Sequence, residues 1–337
     1  MSGKPLRFLC LYLVLTLSVA ARSLAGGITE SYNWIAGTDV ADTTINYMIM
    51  TKFAELIKER SGGKINVEIY FGGQLGNTSE VTQGVVTGTI QIGSGMTGGL
   101  IDFVPQNAIF DLPNLFPNVD VLRKTLAGDF LQTINEFNRE GGLTMLCYAD
   151  AGFRQLSSNK VVRSLKDLAG QKIRVMPNPY HVAYWTALGA NPVAMDFSEV
   201  FMGLQQGTID GQENPYMNIV ANNMHEAQKY IIETNHLGHT ITFFMNDDLY
   251  QSLPNDVRAL VDECAAEARA YANSKADQSI RAYKETCVKA GCEIIILSPE
   301  VLKEFQDKAG VVYDMARKNV GDDLIDGILA RVAEASK

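Results

Sequence analysis

The chain has 337 residues, 29 of them Lys or Arg and 38 Asp or Glu, for a net charge of −9, and 46% of it is hydrophobic. An acidic balance argues against nucleic acid as the main partner, although a few buried arginines can still dominate a cleft locally. The length suits two or three domains, each large enough to bury a core.

Lys4 and Arg7 begin a short basic segment, an uncharged run follows over residues 8–21, and Ser23-Leu24-Ala25 ends it with small residues. The run is shorter than the roughly 20 apolar residues of a membrane-spanning helix. Residues 1–25 therefore read as a cleaved signal peptide that sends the chain to the periplasm, and Cys10 lies too early for lipid attachment. Losing Lys4, Arg7 and Arg22 leaves 26 basic residues against 38 acidic ones, a net charge near −12. No second apolar run is long enough to span a membrane.

The periodicities then alternate. Residues 28–35 predict a strand. Residues 43–60 predict an amphipathic helix with Ile45, Met48, Ile49, Phe53, Leu56 and Ile57 on one side, stopped by Ser61-Gly62-Gly63. A strand over 65–70, a short helix over 80–87 and a strand over 90–92 follow. The pattern restarts with a strand over 143–148, then a helix near 165–168, a strand over 172–175 and helices over 180–188 and 198–205. A strand around 208–212 completes the unit. Helices between strands predict mainly parallel sheet covered on both faces. Two such units predict two α/β lobes, with a ligand cleft lined by the loops at the carboxyl ends of the strands. The expected division is 26–151 plus 240–279 for the first lobe and 152–239 plus 280–337 for the second.

From Pro254 to Lys289 the helical pattern is nearly unbroken, with Val257, Leu260, Val261, Cys264, Ala268, Tyr271 and Ala272 in one stripe. A single helix would reach roughly 50 Å and touch both lobes; a break near Asn273-Ser274 is the alternative. Four cysteines remain after processing, and the spacing of Cys287 and Cys292 leaves a bridge or two free thiols open.

The segment Phe53-Ala54-Glu55-Leu56-Ile57-Lys58-Glu59-Arg60-Ser61-Gly62-Gly63-Lys64-Ile65 is followed by Gly73-Gln74-Leu75-Gly76. Gly152-Phe153-Arg154, Lys172-Ile173-Arg174-Val175, Leu188-Gly189-Ala190-Asn191-Pro192 and Phe197-Ser198-Glu199-Val200 come next. The most specific piece runs from Leu204 to Pro215 and ends in Gly211-Gln212-Glu213-Asn214-Pro215. In this order and spacing the chain resembles the DctP-type periplasmic binding proteins of TRAP transporters, from about Phe53 to Pro254. The resemblance implies a two-lobe binding-protein fold of the type II kind, with a long helix spanning both lobes. It implies a small organic acid as ligand and TRAP membrane subunits as partners, with no cofactor. By the same likeness Arg174 is the principal carboxylate-binding residue, joined by Arg154, Asn214 and the aromatic wall Phe197.

The chemistry is consistent with this. A carboxylate taken from water needs charge and donors returned in fixed geometry, and a guanidinium offers paired N–H groups that match its two oxygens. For the other end of the ligand, Trp34 after the first strand and Thr97 after a later one are candidates, and a tryptophan face tilts the expectation toward an aromatic or partly apolar acid. Glu213 and His236 are supporting candidates, His236 through water. His236, His239 and Glu233 offer too few ligands for a metal site. Cys147 sits in an apolar strand where a thiol is inert, and residues 93–99 lack the Lys and Ser/Thr of a phosphate loop. No nucleophile or base adjoins the arginine motif, so a receptor is expected rather than an enzyme. A sugar-acid or dicarboxylate receptor, or a ligand-sensing subunit of a signalling system, is the alternative.

Overall fold

The computed structural model describes residues 28–337, so the signal peptide expected over 1–25 lies outside the described residues. β1 (Tyr32–Gly37) leads through α1 (Ile45–Arg60) to β2 (Ile65–Tyr70), then through α2 (Thr78–Val86) to β3 (Ile92–Met96). β1 pairs in parallel with both β2 and β3. α1 forms where the stripe predicts, burying Ile45, Ile49, Phe53, Leu56 and Ile57 against the sheet. It stops at Gly62 and Gly63, whose φ of +64° and +81° a side chain would resist. Two 3₁₀ turns, α3 (Val119–Thr125) and α4 (Phe130–Glu140) then precede β4 (Leu143–Phe153).

β4 runs on into β5 (Gln155–Ser158), which belongs to a second sheet. That sheet grows through β6 (Lys172–Val175), α5 (Pro179–Ala187), β7 (Asn191–Ala194), α6 (Val200–Gln206), β8 (Gly211–Asn214), α7 (Tyr216–Ala221) and β9 (Tyr230–Glu233). β10 (Gly238–Asn246) returns to the first sheet, followed by α8 (Asp247–Ser252) and α9 (Asn255–Lys289). β11 (Glu293–Ile296), α10 (Pro299–Asp307), α11 (Gly310–Val320) and α12 (Asp322–Ala335) complete the chain. The strand orders are β2-β1-β3-β10-β4 and β11-β9-β5-β8-β6-β7.

The sheets are mixed rather than mainly parallel. β10 is antiparallel to β3 and β4, and β5 is antiparallel to β8 and β9. The reason is topological: a strand leaving one lobe and a strand coming back must run in opposite directions.

α9 is one uninterrupted helix of 35 residues, with no break at Asn273-Ser274. It packs on α1 and β4 at one end and on α7 and β11 at the other. Cys264, Ala265, Ala268 and Ala272 are fully buried along it, small side chains that let α1 approach closely. Tyr271, expected in the same stripe, is exposed instead, with Lys52 and Lys275 over its ring at 5.7 and 5.5 Å. At the C-terminus α11 packs on α5, and α12 packs on α3 and α4. Cys147, Cys264, Cys287 and Cys292 are buried free thiols. No helix among the described residues is long and apolar enough to cross a membrane.

Candidate functional site

Arg154 lies in the first crossing segment, between β4 and β5, and its backbone N–H donates to Leu237 O at 2.9 Å in the returning segment. Its side chain is 1% exposed, and every guanidinium nitrogen has a protein partner. Nε pairs with the Glu213 carboxylate, and Nη2 donates to Glu213 Oε1 at 2.8 Å. Nη1 lies 3.4 Å from Met96 Sδ and 2.7 Å from His239 Nδ1. Arg154 therefore lines the cleft as a fixed charge that Glu213 already balances.

Glu213 anchors a buried network. His236 Nε2 is 3.0 Å from its Oε2 and His181 Nδ1 is 3.5 Å from its Oε1. His181 Nε2 in turn reaches Asp111 Oδ1 at 3.1 Å. Burial pushes the Glu213 carboxyl up, yet Arg154, His181 and His236 together outweigh it and hold the group well below its usual range. Burial lowers the imidazole of His181, but Asp111 and Glu213 more than reverse this. Burial and then the Arg154 charge keep His239 well below its usual value. Burial also depresses His236 against the pull of Glu213.

Arg174 differs. β6 buries it to 1% exposure, and Nε donates to Met195 O at 2.9 Å. Nη1 is buried without a partner, and Arg174 forms no ion pair with a carboxylate among the described residues. The Phe197 ring centre lies 5.6 Å from its guanidinium carbon. Burial, and then the charge of Arg154, bring its pKa down to about 10, while Glu213, Asp39 and Asp196 pull the other way. A buried cation with an unanswered donor calls for an anion.

Arg154, Arg174, Phe197 and Asn214 surround one cavity of about 110 Å³ between the sheets. Asn214, at the end of β8, is fixed by donating Nδ2 to Gln212 Oε1 at 2.6 Å. The opposite wall comes from the loops after β1, β2 and β3, with Asp39, Thr78 and Gly98. The cleft is closed across its mouth: Asn77 donates to Asp196 Oδ2 at 3.0 Å, and Asn178 to Gly98 O at 3.1 Å. A larger groove of about 920 Å³ lies between α9 and the C-terminal helices, but its charges already pair, Arg123 with Asp150 and Lys284 with Glu233.

The other sequence candidates fall elsewhere. Trp34 is 3% exposed in the core of the first sheet beside α1, and does not line the cavity. β1 runs to Gly37, so Trp34 is mid-strand and points inward; the loop after the strand starts at Thr38 and carries Asp39. Thr97 is fully buried behind the wall formed by Met96 and Gly98, its hydroxyl unpartnered. Glu213 and His236 lie beneath Arg154 rather than on the cavity surface. Asp39, Thr78, Asp196 and His239 line the cavity and were not singled out for it from sequence. A correct end to β1 would have pointed to Asp39. Asp196 adjoins Phe197 and was within reach. Among the described residues, no cluster of three or more His, Cys, Asp or Glu could hold a metal ion.

Comparison with known proteins agrees with this architecture. The profile of the DctP family, bacterial extracellular solute-binding protein family 7, matches residues 36–319. The C4-dicarboxylate-binding periplasmic protein DctP of Rhodobacter capsulatus is 29% identical, over 95% of this chain and 96% of its own. A sugar-acid-binding protein from Advenella mimigardefordensis, solved with galactonate, superposes with a TM-score of 0.87 at 25% identity, over 91% of this chain and 99% of its own. A TRAP periplasmic solute-binding protein from Shewanella oneidensis, solved with succinate, gives 0.85 at 27% identity, over 90% and 99%. With its two lobes, crossing strands and shared helix, the chain belongs to the DctP family of TRAP periplasmic solute-binding proteins.

Proposed function

We propose that the protein is a periplasmic receptor that takes up a small organic acid in this cavity and delivers it to the membrane subunits of a TRAP transporter. The lobe of residues 26–151 and 240–279 closes on the lobe of 152–239 and 280–337, with the acid between them. The observation that carries this reading is Arg174, a buried guanidinium whose Nη1 has no protein partner. A solute carboxylate would answer it with charge-assisted hydrogen bonds in planar geometry.

A cavity of about 110 Å³ holds roughly four waters' worth of volume. That is far below the roughly 300 Å³ at which pockets for drug-sized ligands begin. A solute of a few carbons fits it. The lean toward an aromatic acid loses its support, because Trp34 packs in the core and Phe197 is already engaged with Arg174. The periplasmic names of the relatives and the signal peptide read from residues 1–25 support export.

A thermal-shift screen of organic acids tests the reading. A solute at 100 times its dissociation constant adds about 2.7 kcal/mol, and the shift should vanish in Arg174→Met. No response to any acid, or an equal response in the variant, rejects it.

A further inference from the structure

We infer that the end of the cavity formed by Asp39 from the first lobe and Asp196 from the second recognises hydroxyl groups on the solute and refuses a second carboxylate. The solute is then a small hydroxylated monocarboxylate. This rests on the assignment of Arg174 as the carboxylate anchor and deepens it.

The charges lining the cavity carry the argument. Two arginines face it, but Arg154 is balanced by Glu213, so Arg174 alone presents an unpaired cation. Three carboxylates line the same space, Asp39, Asp196 and Asp102. One solute carboxylate therefore balances Arg174, and a second would meet like charge. Asp39 accepts a hydrogen bond from Thr78 Oγ1 at 2.6 Å and Asp196 accepts one from Asn77 at 3.0 Å. Both carboxylates are held in place and keep further acceptor capacity.

A donor on the solute is what such a wall lacks. Burial already raises the Asp39 carboxyl above its usual range, with Thr78 and Arg174 opposing, so a second anion there would be accommodated only with a proton. The neighbouring groups favour hydroxyl over ammonium. Asn46 and Asn218 each carry donor and acceptor groups, as an alcohol does, whereas an ammonium only donates; Thr78, whose hydroxyl donates to Asp39, can only accept.

Four acids of matched chain length separate the outcomes: threonate, succinate, butyrate and homoserine, titrated calorimetrically into the full mature chain at neutral pH. Wild type should bind threonate at least about 30-fold more tightly than succinate or butyrate. Asp39→Asn keeps the shape and the Thr78 contact, and should cut the threonate-to-succinate ratio at least about tenfold; Asp196→Asn should shift it in the same direction. Circular dichroism confirms that each variant is folded. Succinate binding as tight as threonate in wild type, or an unchanged ratio in both variants, overturns the inference while leaving the carboxylate anchor standing. Tighter binding of homoserine than threonate overturns the hydroxyl assignment. Failure of all four acids to bind overturns the anchor, and this inference with it.

Discussion

Replacing Arg174 by lysine and by methionine separates two quantities that the geometry of this side chain ties together. Nε is committed to Met195 O, which aims the Nη edge at the cavity. Each charge-assisted hydrogen bond to a carboxylate is worth about 1.5–3 kcal/mol. A lysine at this position would keep the charge but not the fork, so Arg174→Lys should lose about 2–3 kcal/mol, on the order of 100-fold in Kd. The empty protein should not share that loss. A pKa brought from 12.5 down to about 10 means that burying the unanswered charge costs about 3 kcal/mol at neutral pH. Arg174→Met removes that cost and loses one charge-assisted hydrogen bond worth about 1.5–3 kcal/mol, so the ligand-free variant should melt no lower than wild type. Calorimetric titration with the best acid from the screen and differential scanning calorimetry of the ligand-free proteins read the two effects. Affinity within threefold of wild type for Arg174→Lys, or a lower melting temperature for ligand-free Arg174→Met, would refute the reasoning.

Glu213→Gln leaves the Arg154 charge buried and unbalanced and should destabilise the fold by about 3–5 kcal/mol, read by urea denaturation. Histidine NMR should find His181 titrating above its usual range and His239 neutral well below it. For stability, the lowered values of His236 and His239 mean that their contribution is lost as pH falls below about 6.5; the raised His181 contributes fully below that pH and gives up its share only as pH rises through its folded value, and Glu213 gives way only at much lower pH. The two depressed histidines therefore predict a melting temperature that declines as pH falls from 6.5 to 4.5, and a rise over that range would contradict the network. Gly211→Ala would place a Cβ 2.3 Å from Ser157 O and should cost at least about 2 kcal/mol by prising β5 from β8, measured by thermal melting. Trp34→Phe should lower stability but leave the ranking of acids unchanged, because the ring packs in the core.

The strand–helix alternation and the long apolar stripe of α9 were legible because they rest on local periodicity. Arg174 could be named as the proposed anchor because it sits in a short strand whose neighbours carry the family likeness. What failed depended on a strand end or on distant partners. Reading the first strand over 28–35 instead of Tyr32–Gly37 put Trp34 at the strand's end and hid Asp39 in the loop that follows. The two arginines look equivalent in sequence, yet Arg154 is taken up by Glu213, 59 positions away, and His239, 85 positions away. No local signal carries that pairing. Mainly parallel sheets were expected because helices separate most strands, and the crossing strands that break the rule can be recognised only once both lobes are assembled.

The difference between the two arginines also explains how labour is divided within the site. Arg154, His236 and His239 all lie on or beside the two crossing segments; Glu213 ties Arg154 and His236 to β8, and His239 is held through Arg154. A floor whose charges are balanced internally does not have to rearrange when the solute arrives, so little binding energy goes into organising it. Arg174, the proposed anchor, comes from the second lobe with Nε fixed and Nη1 without a protein partner. In the proposed mechanism the first lobe brings Asp39 and Thr78 to meet Asp196, and these groups tell one acid from another. On the proposed closure, solute contacts to the Asp39 wall form only when the lobes are shut, because that wall arrives with the first lobe. Selection and closure are therefore the same event: an acid that cannot satisfy Asp39 can still meet Arg174, but gives the lobes no reason to stay shut.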